Sequence, residues 1–267
     1  MRQVPRANIL GVGISAISMK QAVSQTIDLL ETKRDAYICV TGVHGIMEAQ
    51  VDEDFRSILN SSFLTTPDGM PTVWLGRHLG FDKMTRVYGP EFMLELCGAS
   101  VEKGYKHFLY GGKPGVAEDL KRQLSARFTG IQIVGAYTPP FRPLTVEEEV
   151  EVDRLLHDGQ ADILWCGLST PKQERFMAKY IGRLPVKLMV GVGAAFDINS
   201  GHLRDAPQWM KRSGLQWLFR MITEPRRLSG RYLRNNPRFL WLTCLQLLGL
   251  RKYSVVTALS GKQGVPN

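Results

Sequence analysis

The sequence predicts an α/β fold, a mostly parallel sheet with helices on both faces, followed by a basic helical C-terminal appendage. Two observations carry the first part. Short apolar runs alternate with segments of helical periodicity, the rhythm of parallel strands joined by crossover helices. Several of those runs end in Gly- or Pro-containing turns, where such sheets carry their chemistry. A third observation carries the second part. From Asn199 onward twelve Lys and Arg face only Asp205 and Glu224, a surplus of ten in a chain of net charge +9, so residues 1–198 sum to −1. A polyanionic partner is expected at that end: an anionic membrane surface, a pyrophosphate or a nucleic acid. The boundary is drawn so that 1–203 form the sheet domain and 204–267 the appendage.

In chain order, residues 9–18 alternate loosely around Gly11 and Gly13 and read as a short strand or hairpin. Residues 19–32 have helical spacing, 35–40 are a compact apolar strand, and one helix is expected over 45–59. Residues 62–66 are the next strand, with helices over 71–79 and 91–103. The rhythm then repeats: strands over 106–110, 131–137, 162–167 and 186–190, with helices after the first three. The helix over 145–157 opens on Glu147, Glu148 and Glu149, which suit the positive end of its dipole. From Arg204 no strand-like run appears before Tyr253; the segment is helical and broken by Pro225 and Pro237.

Several chemistries find no support. Cys39, Cys97, Cys166 and Cys244 lack CxxC spacing and read as reduced residues of a cytosolic protein. The first eight residues have no signal-type apolar core. No run approaches the roughly 18–20 apolar residues of a membrane span. His44, His78, His107, His157 and His202 show no metal-ligand spacing. Asp52-Glu53-Asp54 has the D-x-D spacing of some metal-holding sugar-nucleotide enzymes, but reads as the solvated face of an amphipathic helix. Neither a metal nor a cofactor is expected.

The candidate chemistry lies at strand ends. Asp68, in Thr66-Pro67-Asp68-Gly69-Met70-Pro71, sits between a strand and a helix. It reads either as a helix cap or as a general base. Gly111-Gly112-Lys113-Pro114-Gly115 reads either as a tight turn or as a phosphate cradle, and is not a Walker loop. Gly191-Val192-Gly193 through Asp197 nearly matches a dinucleotide fingerprint but lacks the third glycine and comes late, so nicotinamide chemistry rests on little. Thr170-Pro171-Lys172-Gln173 fits a capping box with Thr170 at the N-cap, and places Lys172 and Gln173 where a polar pair can read a nucleotide. His44 is the one histidine at a strand end. In the appendage, Arg220, Arg226, Arg227, Arg231, Arg234 and Arg238 accompany Trp209, Trp217 and Trp241, which fits an interfacial membrane element or a diphosphate site. The competing function is a nucleotide-binding module with a nucleic-acid-binding tail.

Seven motifs occur in one order: Thr-Pro-Asp-Gly-Met-Pro, Arg86-Val-Tyr-Gly-Pro, Gly-Gly-Lys-Pro-Gly, Pro-Lys-Gln-Glu, Val-Gly-Val-Gly-Ala-Ala-Phe-Asp, Arg204-Asp-Ala-Pro, and Gly214-Leu-Gln-Trp through Glu224-Pro-Arg-Arg-Leu. This order resembles the WecG/TagA/CpsF family of bacterial glycosyltransferases. The resemblance implies a Rossmann-like catalytic domain and inverting, metal-independent transfer of an N-acetylmannosamine-type sugar, or a related hexose or uronate. The donor would be a UDP-sugar and the acceptor a polyprenyl-diphosphate-linked saccharide at the cytoplasmic face of the inner membrane. A homo-oligomer is compatible, and no nucleic-acid partner is implied. Asp68 matches the proposed base, and Arg220, Arg227 and Arg231 best match the appendage arginines that complete the site. Thr41, His44, Arg86, Gly111, Gly112, Lys113, Lys172, Gln173, Gly191, Gly193 and Asp197 form the expected substrate-binding set. Two positions depart from the family: Thr41-Gly42-Val43-His44 lacks the common Asn, and Gln216 stands where Glu is usual.

Overall fold

The computed structural model describes residues 4–256 apart from 33, 141 and 143. The last eleven residues of the appendage and the first three of the chain therefore lie outside the described residues. Six strands form one sheet in the order β4-β3-β8-β7-β5-β6, and a separate antiparallel hairpin pairs β1 (Arg6–Ile9) with β2 (Val12–Ser15). The sheet strands are β3 (Ala36–Thr41), β4 (Leu64–Pro67), β5 (Lys106–Gly111), β6 (Gln132–Tyr137), β7 (Ile163–Gly167) and β8 (Leu188–Gly191). Pairing of β3 with β8, β8 with β7, β7 with β5 and β5 with β6 is parallel. The expected α/β sheet is therefore present. Every residue of β3 and β8 is buried, as helices on both sides of a parallel sheet require.

The chain divides into two compact units. The first holds the described residues of 19–40 and 88–204. In it α1 (Met19–Leu30) packs on α5 (Gly89–Val101), and α6 (Val116–Arg127) packs on α9 (Ala195–Asn199). The remaining helices of this unit are α7 (Val146–Gly159) and α8 (Lys172–Tyr180). The acidic start of α7 is a complete capping box, with Thr145 and Glu148 each satisfying the other's backbone N–H. Gly111 has φ +129° and ends β5 against Gly167, whose backbone a Cβ would meet at 2.7 Å. Glycine is required there by close approach of two backbones.

Between β5 and β7, Trp165 Nε1 donates to Nδ1 of fully buried His107 at 3.0 Å. Burial pushes this imidazole down to about 4. The ring of an unfolded chain titrates near ~6.5. As pH falls from ~6.5, the unfolded state takes up a proton that the folded state refuses, costing about 3 kcal/mol of stability by the time the folded pKa is reached. His107→Gln keeps an acceptor for Trp165 and removes this contribution. Denaturant unfolding across that pH window should show a shallower loss for the variant; parallel curves would contradict the assignment.

Among the described residues the second unit holds 4–18, 41–87 and 205–256. Its helices are α2 (Val43–Glu48), α3 (Glu53–Ser61), α4 (Met70–His78), α10 (Gln208–Arg212), α11 (Gln216–Thr223) and α12 (Pro225–Leu247). The single helix expected over 45–59 is two, because Asp52 caps α3 by accepting from Phe55 N at 2.8 Å. The D-x-D carboxylates thus start a helix, and Glu53 pairs with Arg56 at 2.8 Å. Pro225 opens α12 at its first turn, where a missing N–H costs nothing. Pro237, expected to break the segment, lies inside the 23-residue α12. The segment from 205 is tied to the hairpin: Gln246 accepts from Leu10 N at 2.9 Å and donates to Asn8 O at 2.8 Å, and Asn8 Nδ2 donates to Tyr253 O at 2.7 Å.

Candidate active site

Asp68 lies one residue beyond β4, and the N-cap of α4 is Gly69. Its main chain is fixed on both sides. Asp68 N donates to Thr41 O at 3.1 Å, and Arg86 Nε donates to Asp68 O at 2.6 Å. Val87 N adds a bond to Pro67 O at 2.8 Å. Upstream, the guanidinium of Arg6 in β1 donates to Asn60 O at 3.0 Å and Phe63 O at 3.2 Å, and Thr65 N donates to Ser15 Oγ at 3.1 Å. The hairpin therefore anchors the strand that delivers Asp68. Its side chain lies over the end of β3, with Oδ2 3.7 Å from where a Cβ on Gly42 would stand.

The arginines come from α11 and α12 of the same unit. Arg86 also donates to Oε1 of Gln216, so Gln216 holds the Asp68 turn against α11. Glu224 joins two of the three expected arginines: Arg220 Nη2 lies 3.0 Å from Oε1, and Arg227 Nε 2.7 Å from Oε2. Burial alone would raise the Glu224 carboxyl, but these guanidinium bonds hold it below the usual range. Arg231 differs. It is half-buried and makes no ion pair among the described residues. Burial, then the charges of Arg227 and Arg220, destabilise its cation. Such a guanidinium favours an incoming anion.

Tyr232 was not legible as a site residue. Its ring meets Trp217 at 6.0 Å and 59°. Burial raises its hydroxyl pKa, and the charges of Arg220, Arg231, Asp68 and Glu224 all act on it. The phenol thus stands within electrostatic reach of both the carboxylate and the cations. His44 Nδ1 is 3.3 Å from Asn235 Nδ2 on α12 and 3.6 Å from Glu48 Oε1. The hydroxyls of Thr41 and Thr66 are buried without a hydrogen-bond partner among the described residues. Thr41, His44, Asp68, Arg86, Arg220, Arg227 and Arg231 therefore all belong to one unit.

Gly111, Gly112, Lys113, Lys172, Gln173, Gly191, Gly193 and Asp197 belong to the other. Gly112 N donates to Gly167 O at 3.1 Å, whereas Lys113 and Lys172 are exposed. The expected capping box at Thr170 does not form. The N-cap of α8 is Pro171, and Gln173 N bonds Ser169 O at 3.0 Å. Thr170 Oγ1 instead donates to Glu174 Oε1 at 2.8 Å, because the Glu174 carboxyl is buried beneath it and needs a donor. Asp197 lies in the first turn of α9.

The unit thus holds a half-buried carboxylate at Asp68 and, at Arg231, a half-buried guanidinium without an ion pair among the described residues. The chain belongs to the glycosyl transferase WecG/TagA/CpsF family, whose model matches residues 7–253. It is therefore a glycosyltransferase. It is similar to an N-acetylglucosaminyldiphosphoundecaprenol N-acetyl-beta-D-mannosaminyltransferase of Bacillus subtilis, 29% identical over 73% of this chain and 75% of the relative. A relative of the same name from Bacillus spizizenii is 27% identical over 74% of this chain and 75% of its own length.

Proposed function

We propose that the chain transfers an N-acetylmannosamine-type sugar, or a related hexose or uronate, from a UDP donor to an undecaprenyl-diphosphate-linked saccharide. The setting would be cell-surface polysaccharide or teichoic acid biosynthesis. The observation that carries this reading is Asp68 sharing a unit with Arg231, a half-buried cation without an ion-pair partner among the described residues. The names of the two Bacillus relatives support the sugar and the acceptor.

In this reading the Asp68 carboxylate takes the proton of the acceptor hydroxyl as that oxygen bonds the anomeric carbon. The bond from that carbon to the β-phosphate oxygen of UDP breaks, and the electron pair leaves with UDP. Arg231, with Arg220 and Arg227, stabilises the negative charge that develops. Thr41, His44 and Arg86 orient the reacting sugars. Gly111, Gly112, Lys113, Lys172, Gln173, Gly191, Gly193 and Asp197 hold the donor. A panel of UDP-sugars with a lipid-diphosphate acceptor, scored by UDP release, tests the proposal. One N-acetylhexosamine, hexose or uronate donor should dominate; no UDP release from any would overturn it.

The chain acts, in this proposal, as a peripheral protein on the cytoplasmic face of the inner membrane, with 204–267 as the membrane-associating part. Among the described residues no helix is long and apolar enough to cross a membrane. On α12, Leu233, Leu240 and Trp241 are exposed at 67%, 62% and 65%, interspersed with exposed Arg234 and Arg238. Apolar anchors among cations suit an anionic bilayer surface. The protein is expected to float with phosphatidylglycerol-containing vesicles, and Leu240→Glu with Trp241→Glu should abolish flotation. Salt-sensitive RNA binding without flotation would favour the nucleic-acid-binding alternative.

A further inference from the structure

The start of α8 holds two adjacent polar side chains that the fold buries almost completely: Gln173 is 2% exposed and Glu174 1%. Gln173 Nε2 donates to Glu174 Oε1 at 3.1 Å, and Thr170 Oγ1 donates to the same oxygen at 2.8 Å. A side-chain amide has a donor end and an acceptor end, and a neighbouring carboxyl oxygen selects the donor end. The other end, Gln173 Oε1, is buried and has no hydrogen-bond partner among the described residues. Buried acceptors in native proteins are satisfied, so one that is not marks a place for a donor.

The amide is held against the glycine loop after β8. A Cβ on Gly191 would stand 3.1 Å from both Cδ and Nε2 of Gln173, and one on Gly193 would stand 3.5 Å from Oε1. A larger residue at 191 would push the amide away. Gly193, at φ +51°, keeps the loop turned beside the oxygen.

We propose that Glu174 is a positioning residue, which orients the Gln173 amide so that Oε1 presents a fixed acceptor to an N–H or O–H group of the sugar nucleotide. The assignment deepens the proposed function and rests on its donor. Glu174 would not touch the ligand; it would act through Gln173.

The test is calorimetric binding of UDP and of UDP-N-acetylmannosamine to the full chain. Gln173→Met removes the acceptor and should weaken binding about tenfold, the typical effect of one lost hydrogen bond in a buried site. Glu174→Met should weaken binding similarly, raise the donor KM and leave kcat within about threefold. Glu174→Gln retains an oxygen for Gln173 and Thr170 and should restore most of the affinity. The double Met variant should bind no more weakly than either single, because both remove one contact. Weakening already seen with UDP places the donor group on the nucleotide; weakening confined to the sugar nucleotide places it on the sugar, and either supports the assignment. Should Glu174→Met fail to fold, Thr170→Val loosens the same lock and is expected to weaken binding partially. Wild-type affinity in Gln173→Met, or additive losses in the double variant, would overturn the assignment. Wild-type protein that binds neither ligand would overturn the donor reading itself and this assignment with it.

Discussion

Asn in place of Asp68 is expected to lower kcat by about 10²–10⁴, the range general-base catalysis contributes. The fold should be unchanged. The turn is held by main-chain groups, with Thr41 O and the Arg86 guanidinium bonding the backbone of residue 68, and Asn keeps both. An amide, however, cannot accept the proton that the acceptor hydroxyl must lose. Donor affinity should stay close to wild type, so the loss appears in turnover. Unchanged kcat in a folded Asp68→Asn protein would remove Asp68 from the role of base.

The second large effect is expected at Arg231. Gln there should lower kcat by about 10²–10³, as removal of one charge-stabilising donor does in other enzymes. Arg231→Lys should recover only part, because an ammonium cannot bond a phosphate through two parallel N–H groups. Stability provides the control. Arg231 is half-buried, its cation is destabilised by its surroundings, and it makes no ion pair among the described residues. Removing it should therefore leave the melting temperature unchanged or raised. A destabilised protein with normal kcat would make Arg231 a structural residue. Arg227, which shares Glu224 with Arg220, should matter less, since part of its charge is already neutralised within the helix.

The sheet was legible because its signals are local. The apolar runs at β3, β7 and β8 and the turns that end them need no tertiary context. The failures are equally physical. The split between α2 and α3 depends on Asp52 accepting from Phe55 N, and a charged triplet on an amphipathic pattern does not reveal which carboxylate caps. Pro237 stays within α12 although proline disfavours a helix interior, a tertiary override of local preference. Thr170 leaves its expected cap for Glu174, whose burial depends on packing that spacing cannot report. At the candidate site, the motif order singled out Asp68 and the arginines. Tyr232 was invisible because its relation to Asp68 arises only when α12 folds into the same unit as β4. Its adjacency to Arg231 was the one available signal.

In the proposed reaction a single displacement occurs at the anomeric carbon, with Asp68 deprotonating the acceptor and the arginines receiving the departing diphosphate. The anomeric configuration of the product formed by the full chain, read by NMR on the lipid-linked saccharide, tests it most directly. A single displacement predicts inversion, so an α-linked UDP-sugar yields a β-linked product. An α-linked product would show retention and contradict the account.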